Sequence, residues 1–140
     1  MSAEQNKSIV RRWIEEGWNK GNLAVIDQVY APNYVQHEPA PAPVTSSEAL
    51  KQYVGAYKTA FPDLHFTIED MIAEGDRVVV RQTFRGTHQG DFMGIAPTGK
   101  QVTMTEIEIF RVVNGKGVEN WTSSDDLGLL QQLSVVPSTE

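Results

Sequence analysis

Apolar residues near the start of the chain recur every three to five positions, which is the spacing of one helical face. In this first segment they are Ile9, Val10, Trp13, Ile14 and Trp18, with arginines and glutamates between them. The pattern predicts an N-terminal helix that stops near Gly21, followed by a shorter helix that Pro32 ends.

A third helical stripe begins at Ser46 or Ser47, since serine is a favourable residue at a helix start. Its apolar positions are Leu50, Tyr53, Val54, Tyr57 and Phe61, and Pro62 follows directly. The segment from Glu38 to Pro43 contains three prolines. It is predicted to be an extended loop because proline offers no backbone donor.

Beyond Pro62 the pattern changes to the alternation of β-strands. Apolar runs cover residues 64–72, 78–84, 102–113 and 118–125, with hairpin turns predicted at Gly75-Asp76 and Asn114 to Gly117. Helices followed by about four antiparallel strands indicate an α+β fold. A curved antiparallel sheet wrapped around the N-terminal helices would form a cone with an apolar pocket at its open end.

Composition narrows the class of protein. A chain of 140 residues fits one domain, residues 1–140. The net charge of -6 and the scattered lysines and arginines argue against nucleic acid as a partner. With no cysteine, thiol catalysis and disulfides are excluded. The start lacks the apolar core of a signal peptide and no apolar run approaches a membrane span, so a cytoplasmic protein without a membrane partner is predicted.

Two adjacent acids, Asp125 and Asp126, stand where the last strand turns into a short apolar helix. One interpretation is a helix cap formed by one of them or by Ser124. The other is an acid held in the pocket, where loss of water raises its pKa and suits it to proton transfer. If the strand face that carries Trp121 lines the pocket, Asp125 lies inside it. Two aspartates allow one residue for each role.

The remaining candidates are polar or aromatic residues at the ends of strands. His37 precedes the proline-rich loop and is either a donor at the pocket mouth or a surface histidine bonded to backbone. The loop from Gly90 to Ile95, which contains Phe92, is either a lid over the cone or a packed connection. The three histidines are far apart in sequence and form no paired ligand motif, so no metal site is predicted.

Three stretches of the sequence resemble a known family. They are YAPNYVQH at residues 30–37, GTHQGDFMGIAPTGK at residues 86–100, and the closing segment with Gly117 to Trp121, Asp125 and Gly128-Leu129-Leu130. In this order they are similar to the SnoaL-like polyketide cyclases, or ester cyclases, of the NTF2-like superfamily. The resemblance implies a cone-shaped NTF2-like, or cystatin-like, fold.

The resemblance also implies a function. Members with known activity close a polyketide ring by intramolecular aldol condensation, without metal or cofactor. It assigns Asp125 as general acid/base and His37 as a second catalytic residue of the pocket. Further residues are expected to bind the substrate: Tyr34, Gln82, His88, Phe92, Asn120 and Trp121. Two alternatives stay open, a non-catalytic module that binds a small hydrophobic ligand and an isomerase resembling ketosteroid isomerase. Face-to-face pairing of such sheets predicts a homodimer.

Overall fold

The helices begin and end close to where the sequence predicts. The computed structural model describes residues 2–37 and 44–135, so the predicted proline-rich loop lies outside the described residues. The helices are α1 (Ala3–Arg12), which continues as a π-helical segment (Trp13–Asn19), α2 (Ala24–Val29), α3 (Ser47–Ala60) and α4 (Asp126–Gln132). Ser2 and Ser46 cap α1 and α3 by accepting backbone N–H bonds, which satisfies donors that the first helical turn leaves free.

The π-helical segment brings two tryptophans to the same side of the molecule. Gly17 is buried against Trp13, and a Cβ atom at this position would lie 2.2 Å from the Trp13 ring. The glycine therefore lets the Trp13 ring lie flat along the helix. The Trp13 and Trp18 ring centroids are 5.8 Å apart. Such π-helical turns occur often at functional sites because they re-aim side chains.

Five strands form one sheet in the order β1-β5-β4-β3-β2. They are β1 (Tyr30–Gln36), β2 (His65–Glu74), β3 (Arg77–Thr87), β4 (Gln101–Val113) and β5 (Lys116–Ser124). The last four strands pair antiparallel, as predicted, and the two predicted hairpin turns join β2 to β3 and β4 to β5. The sequence did not reveal β1 as a member of the sheet. It pairs parallel with β5, where Gln36 lies opposite Asn120, a contact between distant parts of the chain that local patterns do not encode.

The sheet has an inner face against the helices and an outer face. On β4 the even-numbered side chains from Val102 to Val112 are all buried, whereas Ile107 between them is exposed. The inner face packs against the helices through residues such as Val10, Val54 and Phe84. Irregular register in the β2–β3 and β4–β5 pairs bends the sheet towards the helices. The predicted α+β cone is thus confirmed.

No helix within residues 2–37 and 44–135 is long and apolar enough to cross a membrane.

Candidate functional site

A cavity of about 400 Å³ lies between the helices and the inner face of the sheet. One wall is aromatic and combines helical side chains with one residue of β2: Trp13, Trp18, Tyr53, Tyr57 and Phe66. The opposite wall is mostly polar and comes from the sheet and the start of α4: Gln36, Met104, Glu106, Glu108, Thr122, Ser123, Ser124 and Asp126. A cavity with one apolar wall and a few convergent polar groups is typical of a site for a small organic molecule.

Two glutamates of β4, Glu106 and Glu108, belong to the polar wall of the cavity. The alternation of β4 turns both towards the interior, where the neighbouring inward residues Met104 and Phe110 are apolar. Glu106 is 7% exposed and Glu108 9% exposed. Carboxyl groups are rarely buried this far unless they are hydrogen-bonded, because transfer from water disfavours their charged form.

Neutral amides hold the two carboxyl groups in place. The Gln82 side-chain nitrogen donates to Glu106 Oε1 at 2.6 Å and lies 3.5 Å from Glu108 Oε1. The Asn120 side-chain nitrogen donates to Glu108 Oε2 at 3.1 Å. No lysine, arginine or histidine is among the described residues that line the cavity, so no cation there compensates the carboxyl charge.

The environment raises the pKa of both glutamates. Burial is the main cause for Glu106, and the nearby charge of Asp126 adds to it, although hydrogen bonds with Glu108 and Gln82 act in the opposite direction. The pKa of Glu108 is raised more strongly by burial, by the charge of Glu106 and by a hydrogen bond to Glu106. Two adjacent carboxyl groups do not both ionise readily, which favours one proton shared by the pair.

Two tyrosines of α3 face the cavity from the aromatic wall. The Tyr53 and Tyr57 ring centroids are 5.0 Å apart. Burial raises the pKa of both hydroxyls, so both stay protonated near neutral pH. A hydrogen bond with Tyr53 acts to lower the pKa of Tyr57, although burial outweighs it.

The structure separates the two aspartates in the reverse of the predicted way. Asp125 is exposed, and its Oδ1 accepts the Gly128 backbone N–H at 3.0 Å, so it caps α4. The expectation that Asp125 lies desolvated in the pocket is therefore wrong. Asp126 lines the cavity instead and accepts a hydrogen bond from the Ser124 hydroxyl at 2.7 Å. Whether Asp125 takes part in turnover stays a prediction.

Asp125 was misplaced because the wrong face of β5 was taken as the inner one. The face that carries Asn120, Thr122 and Ser124 is the inner one, whereas Trp121 is on the outer face opposite Ile109. Trp121 was expected to bind substrate inside the cone. Its ring is stacked on His37 with centroids 5.1 Å apart, and Arg77 lies 5.0 Å from its centre.

The predicted histidines lie outside the cavity lining. His37 is exposed, and its Nε2 is 2.6 Å from a carboxylate oxygen of Glu119 on the outer face. His88 is fully buried, and its Nδ1 accepts the backbone N–H of Thr98, which fastens the loop between β3 and β4. These positions do not support the expectation that His37 and His88 contact a substrate in this cavity.

The other predicted residues lie behind the cavity surface. Phe92 is buried with its ring 5.3 Å from that of Phe61, so this part of its loop is a packed connection. Tyr34, Gln82 and Asn120 are at most 1% exposed and do not line the cavity, although Gln82 and Asn120 bond directly to the glutamates. Their predicted contact with substrate is not supported.

Sequence reasoning missed Glu106 and Glu108. In the stretch TMTEIEIF the isoleucines alternate with the glutamates, and an apolar residue usually marks the buried face. Here the isoleucines Ile107 and Ile109 are on the outer face. The alternation over the whole of residues 102–112 contained the missed signal. In that run Val102, Met104, Phe110 and Val112 share their face with the glutamates.

The capping role of Asp125 is testable by two substitutions. Asp125→Ala removes the acceptor for the Gly128 N–H and is expected to lower the free energy of unfolding by about 1 kcal/mol. Asp125→Asn is the matched control, since asparagine caps helices as well as aspartate, and it should keep both stability and turnover. Urea unfolding measures the first quantity. An unchanged stability in Asp125→Ala would contradict the cap, and lost turnover in folded Asp125→Asn would restore the catalytic hypothesis.

The sequence matches a known protein family, and the fold matches solved structures. The family model for SnoaL-like polyketide cyclases matches residues 8–133. No curated protein matches the sequence. AclR from Streptomyces galilaeus, a proposed hydroxylase, is 32% identical with a TM-score of 0.87 over 99% of this chain and 87% of that chain.

Two further solved structures show the same fold. A proposed SnoaL-like polyketide cyclase from Jannaschia sp. is 26% identical with a TM-score of 0.89, covering 96% of this chain and 95% of that chain. IdmH from Streptomyces antibioticus, a proposed polyketide cyclase, is 32% identical with a TM-score of 0.81, covering 93% of this chain and 99% of that chain. The chain belongs to the SnoaL-like polyketide cyclase family and has its NTF2-like fold.

Proposed function

We propose that the protein is a cofactor-independent enzyme of the cyclase type that acts on a small hydrophobic carbonyl compound by general acid/base chemistry. The observation that carries the proposal is the Glu106–Glu108 pair, two buried carboxyl groups that line a cavity with an aromatic wall. Family membership supports the cyclase type. The catalytic acid of this proposal is therefore the glutamate pair and not Asp125.

Burial suits the pair to abstract a proton from carbon. A carbon acid next to a carbonyl requires a base whose pKa lies near the working pH, and ordinary carboxylates are too weak. Burial raises the pKa of Glu106 towards that range. Glu108 keeps its proton beside Glu106 and can return one to the product. The pair thus contains a base and an acid within one hydrogen bond.

The proposed reaction is an intramolecular aldol closure that conserves protons. Glu106 takes a proton from the carbon next to one carbonyl, and the electron pair of that C–H bond forms an enolate. The enolate carbon then forms a C–C bond to a second carbonyl carbon, whose oxygen becomes an alkoxide. The alkoxide receives one proton from the Glu106–Glu108 pair, so one proton leaves the substrate and one is returned.

The enolate oxygen needs a donor, because its charge develops in a cavity from which much water is excluded. Tyr57 lines the cavity, and burial raises its pKa so that its hydroxyl keeps a proton to donate. Tyr57 is also close enough for the charges of Glu106 and Asp126 to raise its pKa. We assign Tyr57 as the donor to the enolate in place of the histidines considered from sequence.

The charge of the lining restricts the substrate. Three carboxyl groups, those of Glu106, Glu108 and Asp126, face the cavity, and the described lining residues include no basic side chain. A carboxylate or phosphate in this cavity would meet like charge without compensation. The proposed substrate is therefore a neutral ketone, aldehyde or ester with an aromatic or aliphatic body that packs on the tryptophans.

A second candidate function shares the first step of this chemistry. An isomerase of the ketosteroid type requires a tyrosine and an acid in one pocket, and Tyr57 and Glu106 both line this cavity. Such an enzyme would return the proton to a different carbon of the enolate instead of forming a C–C bond. Product analysis by NMR distinguishes the two, because only the cyclase creates a new ring.

Replacement of the base tests the proposal. Glu106→Gln keeps the shape of the side chain but cannot accept a proton, so proton abstraction should fall by at least about 100-fold. The readout is the exchange of α-protons of an aryl ketone probe, α-tetralone, for deuterium in heavy water, followed by ¹H NMR. This measurement does not require the natural substrate.

Glu119→Gln is the matched control, because Glu119 is on the outer face, bonded to His37 and Arg111. This variant should exchange α-protons at the rate of the unaltered protein. Exchange by Glu106→Gln at that rate would contradict the proposal. If the unaltered protein binds α-tetralone but exchanges nothing, the non-catalytic ligand-binding alternative is favoured.

The cytoplasmic location of the protein stays a prediction.

We also propose that the protein forms a homodimer through the outer face of its sheet. Four apolar residues of neighbouring strands lie in register across this face: Ile72, Val79, Ile109 and Trp121. Ile72 is 65% exposed and the adjacent Ile107 46% exposed. A continuous apolar row on a sheet face is typical of an interaction surface.

Sedimentation equilibrium tests the dimer. The unaltered protein should sediment at twice the chain mass, and Ile107→Lys should shift it to the monomer because a charge would be buried in the interface. Leu127→Lys is the control, since Leu127 is similarly exposed but lies on α4. A monomeric unaltered protein, or a dimer that tolerates Ile107→Lys, would rule out this interface.

A further inference from the structure

Behind the glutamates, a buried hydrogen-bonded chain runs from the cavity surface to the acid pair. The Tyr34 hydroxyl lies 2.6 Å from Asn120 Oδ1 and 2.8 Å from Gln36 Oε1. Asn120 in turn donates to Glu108 Oε2 at 3.1 Å. All four residues are at least nine-tenths buried, and Gln36 lines the cavity. Neither Tyr34 nor Asn120 lines it, so their role in the chemistry is indirect.

We infer that Tyr34 and Asn120 are positioning residues that keep a proton shared by the two glutamates on Oε1 of Glu108, which makes Glu106 the base and Glu108 the resident acid. This inference rests on the proposed acid/base function, and it assigns separate roles to two glutamates that are otherwise adjacent and chemically identical.

The hydrogen bond with Tyr34 fixes the orientation of the Asn120 amide. A tyrosine hydroxyl has one proton to donate, and the shorter of its two contacts is with Asn120 Oδ1. Burial raises the pKa of Tyr34 well above its ordinary value, so the hydroxyl keeps this proton throughout the working pH range. With its oxygen bonded to Tyr34, Asn120 must present its NH₂ group to Glu108.

The orientation of the Asn120 amide determines which of the two Glu108 oxygens is protonated. Oε2 accepts the Asn120 N–H bond, and an oxygen that accepts such a bond is the poorer site for a proton. Oε1 has only a long contact, 3.5 Å, with the Gln82 nitrogen. The proton of Glu108 is therefore on Oε1, from which it is donated to Glu106.

The contacts of Gln82 determine which of the two glutamates has the negative charge. The Gln82 nitrogen donates to Glu106 Oε1 at 2.6 Å, much closer than its 3.5 Å contact with Glu108. The shorter bond favours the negative charge on Glu106. The charge consequently lies on the glutamate that is further from Asn120, and Glu106 is ready to accept a proton from substrate.

Other titratable groups surround the pair. They come from the segment around β1, from α3 and from α4, and they are Tyr30, Tyr34, Tyr53, Tyr57 and Asp126. Burial raises the pKa of all four tyrosines, so none of them ionises near neutral pH. Asp126 raises the pKa of Glu106 but is not bonded to the Tyr34–Asn120 chain.

The test is a carboxyl titration that needs no substrate. In protein labelled with ¹³C at glutamate side chains, the Glu106 signal should titrate at lower pH than the Glu108 signal. Tyr34→Phe removes only the hydroxyl and frees the Asn120 amide to rotate. The separation between the two titrations should then shrink, because Oε2 of Glu108 loses its fixed donor.

Tyr30→Phe is the matched control, since Tyr30 is buried beside Tyr34 with ring centroids 4.3 Å apart but has no hydrogen bond to Asn120. It should leave both titrations unchanged. Kinetics with α-tetralone give a second readout: Tyr34→Phe should lower kcat roughly tenfold and shift the acidic limb of the pH–rate profile, with KM little changed.

Each outcome is informative. Tyr34→Phe titrations identical to those of the unaltered protein would overturn the inference, as would Glu108 titrating below Glu106 in the unaltered protein. If Tyr34→Phe does not fold by circular dichroism, Asn120→Ser removes the same bridge and must show the same convergence. The proposed function fails separately, through full activity in Glu106→Gln, so the two failures are distinguishable.

Discussion

The proposed chemistry depends on one constraint, the burial of two neighbouring carboxyl groups, those of Glu106 and Glu108, in the interior of the protein. Two isolated carboxylates at this depth would be strongly unfavourable, because burial removes the water that stabilises each charge. A shared proton reduces the charge of the pair, and Gln82 and Asn120 bond to the oxygens that remain. A lysine or arginine in place of these neutral amides would pair with the charge and lower the pKa of the glutamates.

The fold supplies two different walls for this pair. The π-helical segment and α3 supply aromatic rings, and β4 and β5 supply the glutamates and most of the hydroxyls. Strand alternation places Glu106 and Glu108 side by side on one face, a proximity that a helix achieves only at three or four residues' spacing. Because β4 is paired on both sides, the carboxyl groups are placed on a regular strand of the sheet rather than on a loop.

Local sequence patterns were sufficient for the helices, the hairpins and the α+β class, because caps, prolines and tight turns act over a few residues. The pairing of β1 with β5 joins distant parts of the chain and left no local signal. The parity of β5 was misjudged since Trp121 suggested an inner face, whereas it stacks outside on His37. The glutamates were missed for the converse reason: Ile107 and Ile109 form an apolar outer row that resembles a buried one. Both errors arose where residues depart from the usual hydrophobic rule, with acids on the buried face and large apolar side chains on the outer one.

The pH dependence of stability tests the shared proton most directly. An unfolded glutamate loses its proton near pH 4.5, whereas burial raises the pKa of both glutamates in the folded protein. The folded state therefore binds more protons above that pH, and its free energy of unfolding falls as pH rises. Relative to a Glu106→Gln/Glu108→Gln variant, which cannot titrate here, the unaltered protein should become progressively less stable as the pH rises above 4.5. Urea unfolding curves that stay parallel across this range would show that the pair holds no extra proton, and the account of the site would be wrong.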